Sequence, residues 1–286
     1  MKINNVEDEK ETTVVTEYEP IQIKTDNYQS ERELEQELIK MLTEQGYDYV
    51  KIHNTEELIK NLRTQLEKVN NYKFTDNEWK RFFNENIAKN NDGIVEKTRK
   101  IQEDNIQVLQ RDNGISKNIK LIDKKCIHNN RLQVINQYTE KSGNYNNRYD
   151  VTILVNGLPL VHIELKRRGV ALKEAFNQIN RYQKESFWAG SGLYEYIQIF
   201  IISNGTNTKY YSNTTRINHI KEQTTVKNNS KKTSNSFEFT SFWADSNNQT
   251  IPDLVDFTRT FLAKNTILNI LTRYCVFTTE NLLLVM

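Results

Sequence analysis

The sequence predicts a folded α/β protein in which helices come first and β-strands dominate the middle of the chain. Helix patterns begin at Ser30 and cover about 54–69 and 75–90, where apolar side chains recur at helical spacing. By contrast, 150–155 and 160–166 are rich in β-branched and apolar side chains, which favour strands. The chain has 286 residues, of which 37% are hydrophobic and 27% are charged, so it can bury a core within one large domain.

The first helix has clear start and stop signals. Ser30 and Glu33 have the spacing of a capping box, and Gly46 is placed to end the helix. Its apolar face consists of Leu34, Leu38, Met41 and Leu42. Apolar and charged residues are mixed between 94 and 140, so that only 133–138 is predicted there as a strand.

The two central strands are joined by Asn156-Gly157, which is a strong signal for a hairpin turn. A helix is then predicted at 171–186, and a fully buried strand at 196–203. Near the end of the sequence, 251–271 has the pattern of an amphipathic helix and 282–286 that of an apolar strand.

The charge of the chain is nearly balanced overall, with 39 basic and 37 acidic residues. This balance argues against a protein that coats nucleic acid nonspecifically. Locally the charge is uneven. Residues 1–27 form an acidic arm, whereas 208–232 carry six basic residues and one acid. The basic stretch is predicted to be a surface loop or an extended hairpin.

The composition also indicates where in the cell the protein is located. Two cysteines, Cys126 and Cys275, are too few for a disulfide scaffold and indicate reducing surroundings. The first ten residues lack the apolar core of a signal peptide, and no apolar run approaches the roughly 20 residues that span a bilayer. We therefore expect a cytoplasmic protein with no membrane partner.

The residues that carry chemistry are Asp150, Glu164 and Lys166. Glu164 and Lys166 are two residues apart on a strand and so share a face, and Asp150 begins the partner strand of the hairpin. Two carboxylates and an ammonium group would suit Mg²⁺-assisted attack of water on a phosphodiester. On spacing alone, an exposed hairpin with a cross-strand ion pair explains the same three residues.

The register of the hairpin decides between these interpretations. A strict two-residue turn pairs Asp150 with Ile163 and places it on the face opposite Glu164. A three-residue loop or a bulge pairs Asp150 with Glu164. Pro159 weakens the pairing near the turn. We therefore predict a longer loop or a bulge that brings the two carboxylates together.

Two further polar residues follow on the predicted helix. Gln178 and Tyr182 are four residues apart and share one face, where they could orient an acid or contact a phosphate. By its spacing His162 shares the face of Glu164, but we interpret it as an ordinary strand residue.

Together these residues resemble the PD-(D/E)xK nuclease motif with the QxxxY extension of its RecB-like branch. The motif residues are Asp150, Glu164-Leu165-Lys166 and Gln178 to Tyr182. The surrounding stretch 148–188 is similar to the N-terminal nuclease region of the R (restriction, or motor) subunit of type I restriction enzymes, as are 201–205 and 241–245. The proline of the motif's name is absent, because Tyr149 precedes Asp150.

The resemblance implies a restriction-endonuclease-like fold, with a mixed central sheet flanked by helices. It also implies a Mg²⁺-dependent endonuclease that acts on double-stranded DNA beside modification (methyltransferase) and specificity subunits. ATP would bind only in translocase domains outside this sequence. The implied domains are the acidic arm at 1–27, a nuclease domain at 28–260 and a stub at 261–286 that leads to the translocase.

The resemblance also implies roles for individual residues. Asp150 and Glu164 would bind the metal together with the Leu165 carbonyl, and Lys166 would be the catalytic lysine. Gln178 and Tyr182 would be accessory residues.

The family further uses a glutamate on its first helix. Glu37 has a fitting pattern, while Glu33 and Glu35 remain alternatives. Arg167 and Arg168 are candidates for contact with DNA phosphates.

Two other functions remain open at this stage. The chain could be a free-standing RecB-like nuclease, or a docking module for DNA or partner subunits with a degenerate site. The DNA target, the cleavage position and the way in which translocation licenses cutting are not readable from the sequence.

Overall fold

The computed structural model describes residues 29–142, 145–213, 236–277 and 283–285. Within these ranges the α-helices are α1 (Glu31–Glu44), α2 (Thr55–Val69), α3 (Asp76–Phe82), α4 (Ile94–Gln102), α5 (Leu172–Glu185), α6 (Leu254–Thr260) and α7 (Lys264–Asn269). The strands are β1 (Asp48–Tyr49), β2 (Ile106–Gln110), β3 (Ser116–Lys120), β4 (Leu132–Ser142), β5 (Tyr145–Val155), β6 (Leu158–Leu165), β7 (Ile199–Ser203), β8 (Thr208–Ser212), β9 (Trp243–Ala244), β10 (Thr250–Ile251), β11 (Cys275–Phe277) and β12 (Leu283–Val285).

Six of these strands form one mixed sheet in the order β1-β4-β5-β6-β7-β8. β4, β5 and β6 form an antiparallel meander, and β8 returns antiparallel to β7. The pairs β1–β4 and β6–β7 are parallel, and α5 lies in the connection between β6 and β7. Helices α1 and α5 pack against this sheet. The mixed sheet flanked by helices is thus confirmed.

The N-terminal helices follow their sequence signals closely. Ser30 and Glu33 form the predicted capping box at the start of α1, and α2 covers the predicted span. The helix predicted over 75–90 is shorter, since α3 ends at Phe82 and continues as a π-helical turn at Phe83–Ile87. The ambiguous stretch contains α4 and the β2–β3 hairpin.

The C-terminal segments pack into the same core as the sheet. The single helix predicted over 251–271 is wrong in detail, because the chain turns at Ala263, which is extended (ψ 135), and separates α6 from α7. Phe261, Ile267 and Leu271 are fully buried in the main hydrophobic cluster. The strand predicted at the apolar end is present as β12.

Two predictions concern segments outside the described residues. The acidic arm at 1–27 lies there entirely, as does most of the basic stretch at 208–232, of which β8 is the described part. In the part of the chain that the structure describes, no helix has the length and apolarity to cross a membrane.

Candidate active site

The hairpin formed by β5 and β6 sets the position of the two predicted acids. Asn156 and Gly157 form a two-residue turn with φ of 52° and 85°, and Val155 pairs with Leu158. The register then shifts, because Leu154 pairs with Pro159 whereas Ile153 pairs with Val161. Leu160 is therefore the extra residue of a β-bulge.

The bulge produces the register in which Asp150 and Glu164 lie opposite each other. Beyond it, Val151 pairs with Ile163, so that one further step places Asp150 opposite Glu164. The predicted bulge is confirmed, and the alternative of a three-residue loop is wrong. Pro159 lies at the irregular step, as expected for a residue without a backbone N–H donor.

Asp150 is partly buried, and its carboxylate faces β6. Asp150 Oδ2 accepts a hydrogen bond from the backbone N–H of Leu165 at 2.9 Å. Burial raises the pKa of Asp150 to about 8, and repulsion from Glu164 adds to this shift. The backbone bond and the nearby Lys166 act in the opposite direction. The site therefore holds its negative charge at a high cost in free energy.

Glu164 and Lys166 lie at the end of β6 and contact each other directly. Lys166 Nζ donates to Glu164 Oε1 at 3.1 Å and to the Leu165 carbonyl at 3.0 Å. The backbone N–H of Lys166 donates to the Ser203 carbonyl at 2.8 Å, which holds this end of β6 against β7. Burial raises the pKa of Glu164 to about 7, although the Lys166 ammonium opposes the shift.

One oxygen of Glu164 has no hydrogen-bond partner. Glu164 is 0% exposed, and its Oε2 is buried with no donor within bonding distance. Nε2 of His162 lies 3.6 Å from this oxygen and is also unpartnered. Burial lowers the pKa of His162 to about 4, so the ring is neutral near pH 7 and cannot balance the carboxylate. An unpaired buried acceptor of this kind is rare, and either a proton shared with Asp150 or a bound cation would satisfy it.

The predicted pair Gln178 and Tyr182 lies beside the acids and contacts the backbone of β5. Gln178 Nε2 donates to the Tyr182 hydroxyl, which in turn donates to the Arg148 carbonyl at 2.8 Å. Arg148 is two residues before Asp150 on β5. The pair thus holds the strand that carries Asp150, and its described hydrogen bonds do not include a carboxylate.

An aromatic layer supports this part of the sheet. Tyr149 has its ring centroid 4.9 Å from that of Tyr182, 4.6 Å from Tyr194 and 5.1 Å from Phe187. All four rings are buried. Such packing restricts the rotamers around Asp150 and favours a rigid site.

The four glutamates in the N-terminal half of α1 lie in different environments. Glu33 caps its own helix, and Glu37 accepts from Gln29 Nε2 at 2.7 Å. Glu35 is buried against β4. It is Glu31 that approaches the predicted site, with Oε1 3.9 Å from Lys166 Nζ.

Glu31 was absent from the sequence-based candidates. Its signal was available, because it occupies the first turn of α1, which the Ser30 cap defines. The sequence did not show which face of α1 meets β6.

The two arginines after Lys166 differ in their surroundings. Arg167 is exposed. Arg168 is partly buried, and it donates to Gln29 Oε1 at 3.1 Å and to Thr206 Oγ1 at 3.2 Å. Arg167 is therefore the freer of the two candidates for a phosphate contact.

A Mg²⁺ ion requires hard oxygen donors, and the site offers three of them. Within the described residues, no group of three or more His, Cys, Asp or Glu side chains is arranged to hold a metal. Asp150, Glu164 and the Leu165 carbonyl instead offer two carboxylates and one carbonyl oxygen. Mg²⁺ usually binds one or two carboxylates and keeps several waters, so these hard oxygen donors fit it. The unpartnered Glu164 Oε2 supports the same fit.

The mixed sheet flanked by helices is consistent with a restriction-endonuclease-like fold, and the comparisons with known proteins give the family. Residues 28–219 match the family described as "Type I restriction enzyme R protein N terminus". The chain belongs to this family, as the resemblance implied.

Proteins similar to this chain include endonuclease subunits of type I restriction enzymes. The EcoprrI subunit of Escherichia coli is 49% identical over 274 residues, which is 96% of this chain and 82% of that protein. The SsaAORF53P subunit of Staphylococcus saprophyticus is 38% identical over 265 residues. The SauMSSORF170P subunit of Staphylococcus aureus is 36% identical over 265 residues. The chain spans 26% of the length of each staphylococcal protein.

Proposed function

We propose that this chain is the Mg²⁺-dependent nuclease domain of a type I restriction enzyme R subunit and hydrolyses phosphodiester bonds of double-stranded DNA. The observation that carries the proposal is the convergence of Asp150, Glu164 and Lys166, in which Glu164 keeps one buried oxygen without a partner. The names of the relatives, which are endonuclease subunits, support the same assignment.

Asp150, Glu164 and the Leu165 carbonyl would hold the metal. When bound, Mg²⁺ supplies a water of lowered pKa and offsets charge on the reacting phosphate. A bound cation would favour the ionised form of both acids, because burial raises the pKa of each carboxyl group and repulsion from Glu164 raises that of Asp150 further.

Lys166 would act on the reacting phosphate or the attacking water. Its ammonium is held at the site by Glu164 Oε1 and the Leu165 carbonyl, so it is oriented in advance. A fixed cation beside a phosphate stabilises the negative charge that develops in the transition state. Tyr182 and Gln178 would keep β5, and with it Asp150, in place.

The chain would act as part of a larger enzyme. We propose that ATP-driven translocase domains deliver the DNA, and that the modification and specificity subunits select the target. The names of the relatives, which are endonuclease subunits of type I restriction enzymes, support this organisation over a free-standing nuclease. All three core residues are present: Lys166 contacts Glu164, and the bulged register places Asp150 opposite Glu164, which favours a nuclease over a degenerate docking module.

The test uses the complete R subunit assembled with its partner subunits. Asp150→Ala and Lys166→Ala should each abolish cleavage of a circular plasmid that carries the target. ATP hydrolysis by the same preparations should stay near the wild-type rate, because the motor is elsewhere. Cleavage that persists in either variant, with ATP hydrolysis intact, would rule out this site.

A further inference from the structure

A second set of contacts lies beside the acids, where α1 packs against β4. Glu35 of α1 is 7% exposed. Its Oε1 accepts from Asn136 Nδ2 at 2.7 Å, and its Oε2 accepts from Gln137 Nε2. Both oxygens of this buried carboxylate are therefore satisfied by neighbouring residues of β4, which ties α1 to that point of the strand.

Gln137 has an unusual backbone at this point. Its φ is +53°, in the left-handed region that residues other than glycine seldom adopt. Such a conformation costs free energy and persists only where surrounding contacts hold it. The two hydrogen bonds to Glu35 are contacts of this kind.

The distorted residue lies opposite Asp150. Asn136 pairs with Val151 and Tyr138 pairs with Tyr149, but the intervening pair of Gln137 and Asp150 is absent from the ladder. The backbone of Asp150 is therefore not paired with β4 at this one position. Its carboxylate turns instead to β6, where it accepts from the N–H of Leu165.

We propose that Glu35 and Gln137 are positioning residues, which hold β4 in the conformation that directs Asp150 towards Glu164. The inference rests on the proposed metal site, since it explains how one of its acids is aimed. Helix α1 also reaches the far side of Asp150, because Glu31, one turn before Glu35, lies 3.9 Å from Lys166. One helix therefore contacts residues on both sides of the strand that carries the acid.

The first test needs no metal. In the 286-residue chain without divalent ions, the amide of Leu165 is protected by Asp150, whereas the adjacent amide of Lys166 is protected by the Ser203 carbonyl. Hydrogen exchange measured by NMR should show the Leu165 amide exchanging about tenfold faster in Glu35→Ala and in Gln137→Gly. The Lys166 amide should be unchanged and serves as an internal reference.

The second test is the affinity of the same chain for Mn²⁺, measured by calorimetry. Loss of a residue that orients a metal ligand usually weakens binding about 10- to 100-fold. We expect a rise of that size in Kd for both variants. Gln137→Gly removes the contact with Glu35 and leaves the backbone free to adopt either sign of φ, so that nothing holds β4 in the left-handed conformation. It therefore remains informative if Glu35→Ala folds poorly.

Two control variants separate positioning from stability. Glu78→Ala removes another buried glutamate, 3% exposed, that accepts from Tyr72 and from the N–H of Asp112. Asn248→Gly relieves another left-handed residue, with φ of +60°, in the turn between β9 and β10. Both should leave the Leu165 amide and the Mn²⁺ affinity unchanged.

The outcomes distinguish the inference from the proposed function. If folded Gln137→Gly keeps wild-type exchange at Leu165, the positioning role is overturned. The role is also overturned if Glu78→Ala produces the same changes as Glu35→Ala. If the wild-type chain binds no Mn²⁺, the metal site itself fails, and the exchange measurement still decides whether Glu35 and Gln137 position Asp150.

Discussion

The ammonium group of Lys166 lies 3.1 Å from Glu164 Oε1 and 3.0 Å from the Leu165 carbonyl oxygen, and both belong to groups proposed to bind the metal. The lysine is therefore a counter-ion of the acids as well as a candidate catalyst. A substitution of Lys166 should therefore affect metal binding and DNA cleavage in opposite directions.

Replacement of Lys166 by Met should strengthen metal binding while it abolishes cleavage. Removal of the ammonium leaves two acids without their local cation, and we expect the affinity for Mg²⁺ to rise about tenfold. Calorimetry on the 286-residue chain measures this change. Lys97→Met is a matched control, because Lys97 is also buried and paired, with Glu195 at 2.9 Å. Weaker binding in Lys166→Met would contradict the proposed role of the lysine as a counter-ion.

The metal-free chain should lose stability as the pH rises from about 5 to about 8. Asp150 and Glu164 have folded pKa values of about 8 and about 7, above the ordinary values of 3.8 and 4.5. Between these values the folded state binds more protons than the unfolded state, so the free energy of unfolding falls with pH. We expect a decrease of at least about 2 kcal/mol in urea unfolding with a chelator present.

Two variations check the origin of this pH dependence. Asp150→Asn should flatten the profile, and saturating Mg²⁺ should restore stability at pH 8, because ligands of the folded state stabilise it. A profile that is unchanged in Asp150→Asn would assign the pH dependence to other groups.

Tyr182→Phe should reduce cleavage by the assembled enzyme about tenfold and cost about 1 kcal/mol of stability. The variant keeps the ring but removes the hydroxyl that donates to the Arg148 carbonyl near Asp150. Tyr196→Phe is a close control, since this buried hydroxyl donates to the Ile87 carbonyl at the same 2.8 Å. The two variants should lose similar stability, measured by urea unfolding, and only Tyr182→Phe should lose activity. Equal activities would reduce Tyr182 to a structural residue.

Gly157→Ala should destabilise the hairpin that carries both acids. Gly157 has φ of +85°, and a Cβ there would meet Leu62 Cα at 2.7 Å. Gly114 has φ of +80° with open space around it, so Gly114→Ala measures the cost of the backbone conformation alone. We expect roughly 1 kcal/mol for Gly114→Ala and about 1–3 kcal/mol more for Gly157→Ala, measured by urea unfolding. Equal losses would show that Leu62 moves aside without cost.

The central hairpin was predictable because its signals are local. The Asn156-Gly157 turn fixes the pairing near the loop, and only a bulge or a longer loop reconciles that turn with a joint role for Asp150 and Glu164. Of these two possibilities, the structure contains the bulge, at Leu160. The same locality explains why α1, with its cap at Ser30, followed its sequence pattern.

The residues that were missed depend on packing between distant elements. Glu31 was not a candidate and Glu35 was only an alternative to Glu37, because α1 contains five glutamates and helical spacing does not show which of them meets the sheet. Gln137 carries no sequence signal for a left-handed backbone, because its conformation is held by Glu35 from 102 residues away. The break between α6 and α7 likewise follows from burial of both helices in one core.

The most direct measurement for the proposed site is a calorimetric titration of Mn²⁺ into the 286-residue chain and into its Asp150→Ala/Glu164→Ala variant. We predict saturable binding to the wild type that is lost in the variant, while the variant stays folded by circular dichroism. Equal binding in both proteins, or no binding to the wild type, would contradict the assignment of these two acids as metal ligands.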